Sequence, residues 1–177
     1  MANKITIIAG PTASGKTGRA LTLAKEQGAV IISADSRMVY QGLDIGSGKP
    51  TWEYRELDKS PWIEPSRTTP GVTIPPLAGL SRGEKVVDHG PIYEIEGIDH
   101  YLIDVVPPET PFTLTDWLDR ARAIVSHLQK QGAPVVVVGG TGLYLKALLE
   151  GYQPPPTDPQ IRASIELLET TEILAKL

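Results

Sequence analysis

Residues Gly10-Pro11-Thr12-Ala13-Ser14-Gly15-Lys16-Thr17 match the pattern G-x-x-x-x-G-K-[ST] in full. Each fixed position has a chemical reason. Glycines let successive backbone N–H groups face an anion without interference from a Cβ, and a helix that starts there adds its partial positive charge. Lys16 supplies a full cation, and the Thr17 hydroxyl is an oxygen ligand suited to Mg²⁺. The chemistry is binding of a diphosphate group with magnesium. The loop does not reveal what hangs from that group, because ATP, GTP and a prenyl diphosphate present the same anion.

Ser33-Ala34-Asp35-Ser36-Arg37-Met38-Val39-Tyr40 follows a second apolar run. In open α/β sheets ligands bind beyond the carboxyl ends of the strands, so Asp35 is expected to face the phosphate loop. Two roles are open to it: a carboxylate that takes a proton or joins a magnesium shell, or a cap on the next helix. Gly139-Gly140-Thr141-Gly142 lies on the same edge and is either a phosphate or base contact or a tight strand-to-helix turn. Asp104 ends another apolar run and is either an acidic residue near the metal or a turn residue. Gly46-Ser47-Gly48-Lys49-Pro50 carries a lysine between glycines, but Pro50 replaces the Ser or Thr of a phosphate loop. It reads as a plain turn with Lys49 close to an anion. Asp99 and His100 show no metal-ligand spacing.

The elements that must position these residues follow from patterning. Residues 4–9 are short, β-branched and apolar, as a buried parallel strand is. Residues 16–27 form a helix with Ala20, Leu21, Leu23 and Ala24 on its apolar side, closed by Gly28. Further strands are expected at 29–33, 101–106 and 134–138. Thr113 or Thr115 caps a helix that runs to Gln131 and stops at Gly132. A helix through Leu149 follows the Gly139–Gly142 turn, and 160–176 reads as helical. The predicted fold class is therefore α/β, a P-loop NTPase-like parallel sheet flanked by helices. Seven of the sixteen prolines fall between Pro50 and Pro91, so residues 51–97 read as an irregular excursion with a short strand or hairpin near 85–96.

Composition narrows the classes further. A chain of 177 residues with 41% hydrophobic and 21% charged residues suits one globular unit with a buried core. No apolar run is long enough to span a membrane, and Met1-Ala2-Asn3-Lys4 does not read as a secretory signal. The absence of cysteine excludes disulfides, thiolate zinc sites and cysteine nucleophiles, and it is compatible with a cytoplasmic location. The net charge of -4 argues against a globally basic nucleic-acid binder. Residues 1–50 nevertheless hold six Lys and Arg against three Asp and Glu, which places the positive excess beside the phosphate motif.

Taken in order, the phosphate loop, Ile-Ser-Ala-Asp-Ser-Arg-Met-Val-Tyr, Gly-Leu-Asp-Ile-Gly-Ser-Gly-Lys-Pro, His-Tyr-Leu-Ile-Asp-Val and Val-Val-Gly-Gly-Thr-Gly-Leu-Tyr-Leu-Lys-Ala-Leu-Leu-Glu-Gly resemble the tRNA dimethylallyltransferases. The resemblance covers residues 4–50 and 98–165. It implies transfer of a dimethylallyl group from dimethylallyl diphosphate to the exocyclic amine of an adenine adjacent to the tRNA anticodon. It further implies that Gly10 to Thr17 bind the diphosphate, that Lys16 stabilises it as it leaves, and that Thr17 holds Mg²⁺. Asp35 becomes the general base, and Asp35, Ser36, Arg37, Met38, Thr141 and Arg162 become tRNA contacts. Met38 stands where the family commonly has Gln, and Asp99 replaces the first residue of a common His-His pair. The implied organisation is a P-loop core over 1–151, then a proline-rich boundary over 152–177 that begins a helical tRNA-binding region missing from the chain. An adenylate isopentenyltransferase with a free nucleotide as acceptor, and a P-loop small-molecule kinase, are the competing readings.

Overall fold

The computed structural model describes residues 5–49, 55–56, 80–82, 85–87, 90–153 and 159–174. Thirteen elements are formed among them, in the order β1 (Ile5–Ala9), α1 (Lys16–Gln27), β2 (Val30–Ser33), β3 (Arg55–Glu56), β4 (Leu80–Arg82), β5 (Lys85–Val87), β6 (Tyr93–Ile95), β7 (Ile98–Tyr101), α2 (Leu114–Lys130), β8 (Val135–Gly139), α3 (Gly142–Leu149), α4 (Pro159–Glu166) and α5 (Thr170–Leu174). The main sheet has the order β1-β8-β2-β7-β6-β3, and β4 and β5 form a separate antiparallel pair.

The four strands β1, β8, β2 and β7 run parallel, with Ile7 opposite Val137 and Ile32 opposite both Val137 and Tyr101. Their β-branched side chains are covered on both faces, as a parallel sheet requires. On one face Ala20 and Ala24 of α1 bring the helix close to Ile31, Ile98 and Val136. On the other, Trp117, Leu118, Ala121, Ile124 and Leu128 of α2, with Tyr144 and Leu145 of α3, cover Val30, Ile32, Val135 and Val137. The apolar residues of α2 recur at helical spacing, so one stripe of the helix meets the sheet. Thr113 settles its start: the Thr113 hydroxyl accepts from the Asp116 N–H, and the Asp116 carboxylate accepts from the Thr113 N–H at 2.8 Å. That is a reciprocal capping box. Trp117 is fully buried, and its indole N–H donates to the Ser33 carbonyl at 2.9 Å, tying α2 to the end of β2.

Two expectations are corrected. The strand expected at 101–106 is β7, which runs from Ile98 to Tyr101. It stops because Leu102 (φ 62°) and Asp104 (φ 54°) take the left-handed conformation, which side chains with a Cβ seldom adopt. The apolar residues after it, Leu102, Ile103, Val105 and Val106, are buried all the same, and the backbone there bonds to residues 38–41 rather than to a neighbouring strand. The helix expected at 160–176 is two helices, α4 and α5, separated at 167–169.

The short strand or hairpin expected near 85–96 is met by β5 and β6, with β5 paired antiparallel to β4, and most of the rest of the 51–97 excursion lies outside the described residues. The strands β6 and β7 pair antiparallel around Glu96-Gly97, with φ of 51° and 78°. Positive φ at both turn positions is what a two-residue hairpin needs to match the twist of its strands. The parallel sheet is thus extended by antiparallel strands on its β7 side.

Candidate functional site

The loops after β1, β8 and β2 meet on one edge of the sheet. Gly10 opens the first of them. A Cβ on Gly10 would lie 3.1 Å from the Ser14 hydroxyl, so the loop closes tightly over its own start. Ala13 (φ 62°) and Gly15 (φ 78°) turn the backbone so that the chain enters α1 directly at Lys16. The first turn of α1 contains no acidic side chain, which leaves its N–H groups and dipole for an anion. Pro11 to Ser14 and Thr17 are exposed, and the Lys16 ammonium reaches back to the Pro11 carbonyl.

Asp35 to Met38 follow β2. Asp35 is half-buried and its Oδ1 accepts from the Arg37 N–H at 2.9 Å, which fixes the carboxylate by a local turn. Arg37 is exposed. Met38 turns inward, where its thioether accepts from the Ser33 hydroxyl at 3.4 Å. Thr141 lies between this segment and the phosphate loop. Its hydroxyl accepts from the Ser36 N–H at 2.9 Å, and its own N–H donates to the Ala34 carbonyl at 3.2 Å. The sequence-predicted residues Asp35, Ser36 and Thr141 are therefore brought together.

The glycines before Thr141 set the spacing. A Cβ on Gly139 would sit 2.0 Å from the Ala34 carbonyl oxygen, a distance no side chain permits. A Cβ on Gly140 would lie 3.5 Å from the Gly10 carbonyl oxygen. The backbone of 139–140 thus bridges the Gly10 loop and the Asp35 segment without a side chain between them. Asp35 follows β2, two strand spacings from β1, or about 10 Å across the sheet. Beneath Asp35, Trp117 and Tyr144 stack with ring centroids 4.7 Å apart. The Tyr144 phenol is pushed up to about 12 by burial, then by Tyr40, Asp116 and Asp35, so it stays a neutral hydroxyl.

Arg162 falls on α4, and its side chain lies outside the described residues. Asp104 is three strands from β1, and its carboxylate is bound internally by Lys49 and by the Tyr93 hydroxyl at 2.8 Å. The anion beside Lys49 is thus the chain's own. Tyr93 gave no signal in the sequence, because the spacing that brings it to Asp104 exists only after the β6–β7 hairpin forms. Among the described residues no three His, Cys, Asp or Glu gather as a metal cluster. The donor set at Thr17 instead fits a magnesium ion carried in with a diphosphate. Such an ion needs few protein oxygens, because phosphate and water supply the rest.

These features define a P-loop α/β protein with an acidic residue across one strand from its phosphate loop. The chain belongs to the IPP transferase family, whose model matches residues 89–177; a second model, for isopentenyl transferase, matches residues 3–76. It is similar to a tRNA dimethylallyltransferase from Myxococcus xanthus, 35% identical over 169 residues, covering 95% of this chain and 42% of the relative. Two solved structures share the fold. One is the full-length tRNA isopentenylpyrophosphate transferase of Bacillus halodurans, with a TM-score of 0.58 and 28% identity, covering 93% of this chain and 42% of the other. The second is the tRNA delta(2)-isopentenylpyrophosphate transferase of Staphylococcus epidermidis, with a TM-score of 0.56 and 31% identity, covering 93% and 41%. The chain spans about two fifths of the length of these relatives.

Proposed function

We propose that the chain carries the diphosphate-binding and base-activating part of a tRNA dimethylallyltransferase. The carrying observation is the edge shared by the Gly10–Thr17 loop and Asp35, separated by the side-chain-free backbone of Gly139 and Gly140. In this reading Gly10, Pro11, Thr12, Ala13, Ser14, Gly15, Lys16 and Thr17 hold the diphosphate of dimethylallyl diphosphate. The dimethyl-substituted alkene extends over the glycines toward Asp35.

The reaction forms a bond from the adenine amine nitrogen to the first carbon of the dimethylallyl group and breaks that carbon's bond to the diphosphate oxygen. The amine proton passes to the Asp35 carboxylate, which the Arg37 N–H holds in one orientation. Charge develops on the departing diphosphate, where the Lys16 ammonium and the loop N–H groups lower its energy. Thr17 would hold Mg²⁺, which neutralises further negative charge there when bound. An adenine amine is a weak nucleophile, so a fixed approach is a large part of the catalysis. The adenine must leave its stack to enter this edge. Ser36, Arg37, Met38 and Thr141, and Arg162 of α4, would contact tRNA in this reading, with the exposed Arg37 available to a phosphate or a base edge. The whole reaction takes place in the cytoplasm in this reading.

The test is mass spectrometry of tRNA and of AMP after incubation with dimethylallyl diphosphate and Mg²⁺. The expected product is dimethylallyladenine in tRNA, lost in Asp35→Asn. Modification of AMP in place of tRNA would move the reading to a free-nucleotide acceptor.

A further inference from the structure

Lys49 and Asp104 form a buried ion pair that sits away from the phosphate loop and has no part in binding it. The Lys49 side chain is 5% exposed and that of Asp104 11%. The Lys49 ammonium donates to Asp104 Oδ1, to the Tyr40 carbonyl at 2.7 Å and to Asp44 Oδ1 at 3.2 Å. Asp104 Oδ2 accepts from the Tyr93 hydroxyl at 2.8 Å.

The backbone around the pair repeats the connection. The Asp104 N–H donates to the Met38 carbonyl at 2.9 Å, and the Val106 N–H to the Val39 carbonyl at 3.0 Å. The Gln41 N–H donates to the Val106 carbonyl at 2.9 Å, and Gln41 Nε2 to the Asp104 carbonyl at 3.0 Å. Residues 38–41 are therefore pinned on one side by 104–106 and Lys49. Residues 34–36 are pinned on the other by Thr141. Asp35 lies within the Thr141 clamp, and Arg37, whose N–H holds the Asp35 carboxylate at 2.9 Å, lies in the short span between the two clamps.

A buried pair of charges is a poor device for stability alone, because desolvation offsets most of the attraction and apolar residues of like volume serve as well. Its merit is direction: an ammonium with three fixed acceptors holds one geometry. We propose that Lys49 and Asp104 are positioning residues that hold the 35–41 segment so that the Asp35 carboxylate stays at a fixed distance from the phosphate loop. This rests on the reading of Asp35 as the proton acceptor.

The test compares the wild-type chain with Lys49→Met, Lys49→Arg and the double variant Lys49→Met/Asp104→Asn. Met keeps the length of the stem without the charge, and Asn tolerates the left-handed backbone at 104. Three quantities are read: amide hydrogen exchange, the dissociation constant for dimethylallyl diphosphate with Mg²⁺, and the single-turnover rate of transfer to tRNA. In Lys49→Met, exchange in 35–41 is expected to rise about tenfold or more while α2 and β8 keep their protection. The diphosphate constant stays unchanged, and the transfer rate falls on the order of ten- to a hundredfold. Lys49→Arg recovers part of the rate. The double variant regains thermal stability, because no lone charge is buried, but not the rate.

Stability and rate recovering together in the double variant would reduce the pair to a structural role and overturn the proposal. Unchanged exchange in 35–41 of Lys49→Met would overturn it as well. That arm needs no transfer, so wild-type chain that transfers nothing counts against the functional reading and leaves the positioning claim to be decided by exchange.

Discussion

The Thr141 hydroxyl accepts a 2.9 Å hydrogen bond from the Ser36 N–H, joining two loops that are 105 residues apart in sequence. With the 3.2 Å bond from the Thr141 N–H to the Ala34 carbonyl, it makes the turn after β8 and the turn after β2 one unit. Asp35 lies between the two bonded residues, so its position depends on a residue that shares no element with it.

Thr141→Val removes the acceptor and keeps the shape. The Ser36 N–H is left without its partner in a half-buried place, at a cost of about 1 kcal/mol or somewhat more. Transfer to tRNA is expected to fall while affinity for dimethylallyl diphosphate holds, and Thr141→Ser is expected to restore the rate. Paired kinetic and calorimetric measurements on the two variants check this. A loss of diphosphate affinity in Thr141→Val would contradict it.

Gly139→Ala places a methyl group where the Ala34 carbonyl oxygen already is, 2.0 Å away. Neither partner can yield without shifting β8 against β2. The expected destabilisation is about 3 kcal/mol, at the upper end for overpacking, and it is read by urea unfolding. Gly140→Ala meets only an ordinary contact with Gly10, so it is expected to be far milder.

His100 gives a pH dependence. It is buried on β7, its Nδ1 is 2.8 Å from the Ile98 carbonyl oxygen, and its Nε2 has no hydrogen-bond partner among the described residues. Burial lowers its pKa to about 4, against the smaller raising effects of the Ile98 carbonyl and Glu96. The unfolded chain therefore binds a proton between about pH 6.5 and about pH 4 that the folded chain refuses. Stability from this group is full above that window and is lost as the pH falls through it, by up to about 3 kcal/mol. Unfolding titrations at pH 7 and pH 4.5 on the wild type and His100→Leu check the slope, which the variant is expected to lose in part.

Much of this was legible from residue types alone. The strands β1, β2 and β8 are β-branched runs, α1 ends at a left-handed Gly28, and α2 has a cap at Thr113 or Thr115, between which only the folded capping box with Asp116 decides. The phosphate loop needs only local spacing, so the sequence carries it whole. What stayed hidden depends on pairing across the chain. Leu102 to Val106 is as apolar as a strand, yet its backbone bonds to residues 38–41, and nothing local signals that. Lys49 was noticeable as a lysine between glycines. Its partner Asp104, however, is 55 positions away, and Tyr93, which bonds Asp104 from 11 positions before it, reaches it only once the β6–β7 hairpin folds back on β2. The convergence of Asp35, Ser36 and Thr141 could be expected from the shared sheet edge, but not the bond that fixes it.

The most direct test is a calorimetric titration of the chain with dimethylallyl diphosphate and with ATP, each with and without Mg²⁺, repeated on Lys16→Ala. The account predicts binding of dimethylallyl diphosphate with Mg²⁺ that exceeds ATP binding by at least about tenfold, or roughly 1.4 kcal/mol, and that is lost in Lys16→Ala. Tighter binding of ATP, or affinity for dimethylallyl diphosphate that survives the loss of the Lys16 ammonium, would contradict it.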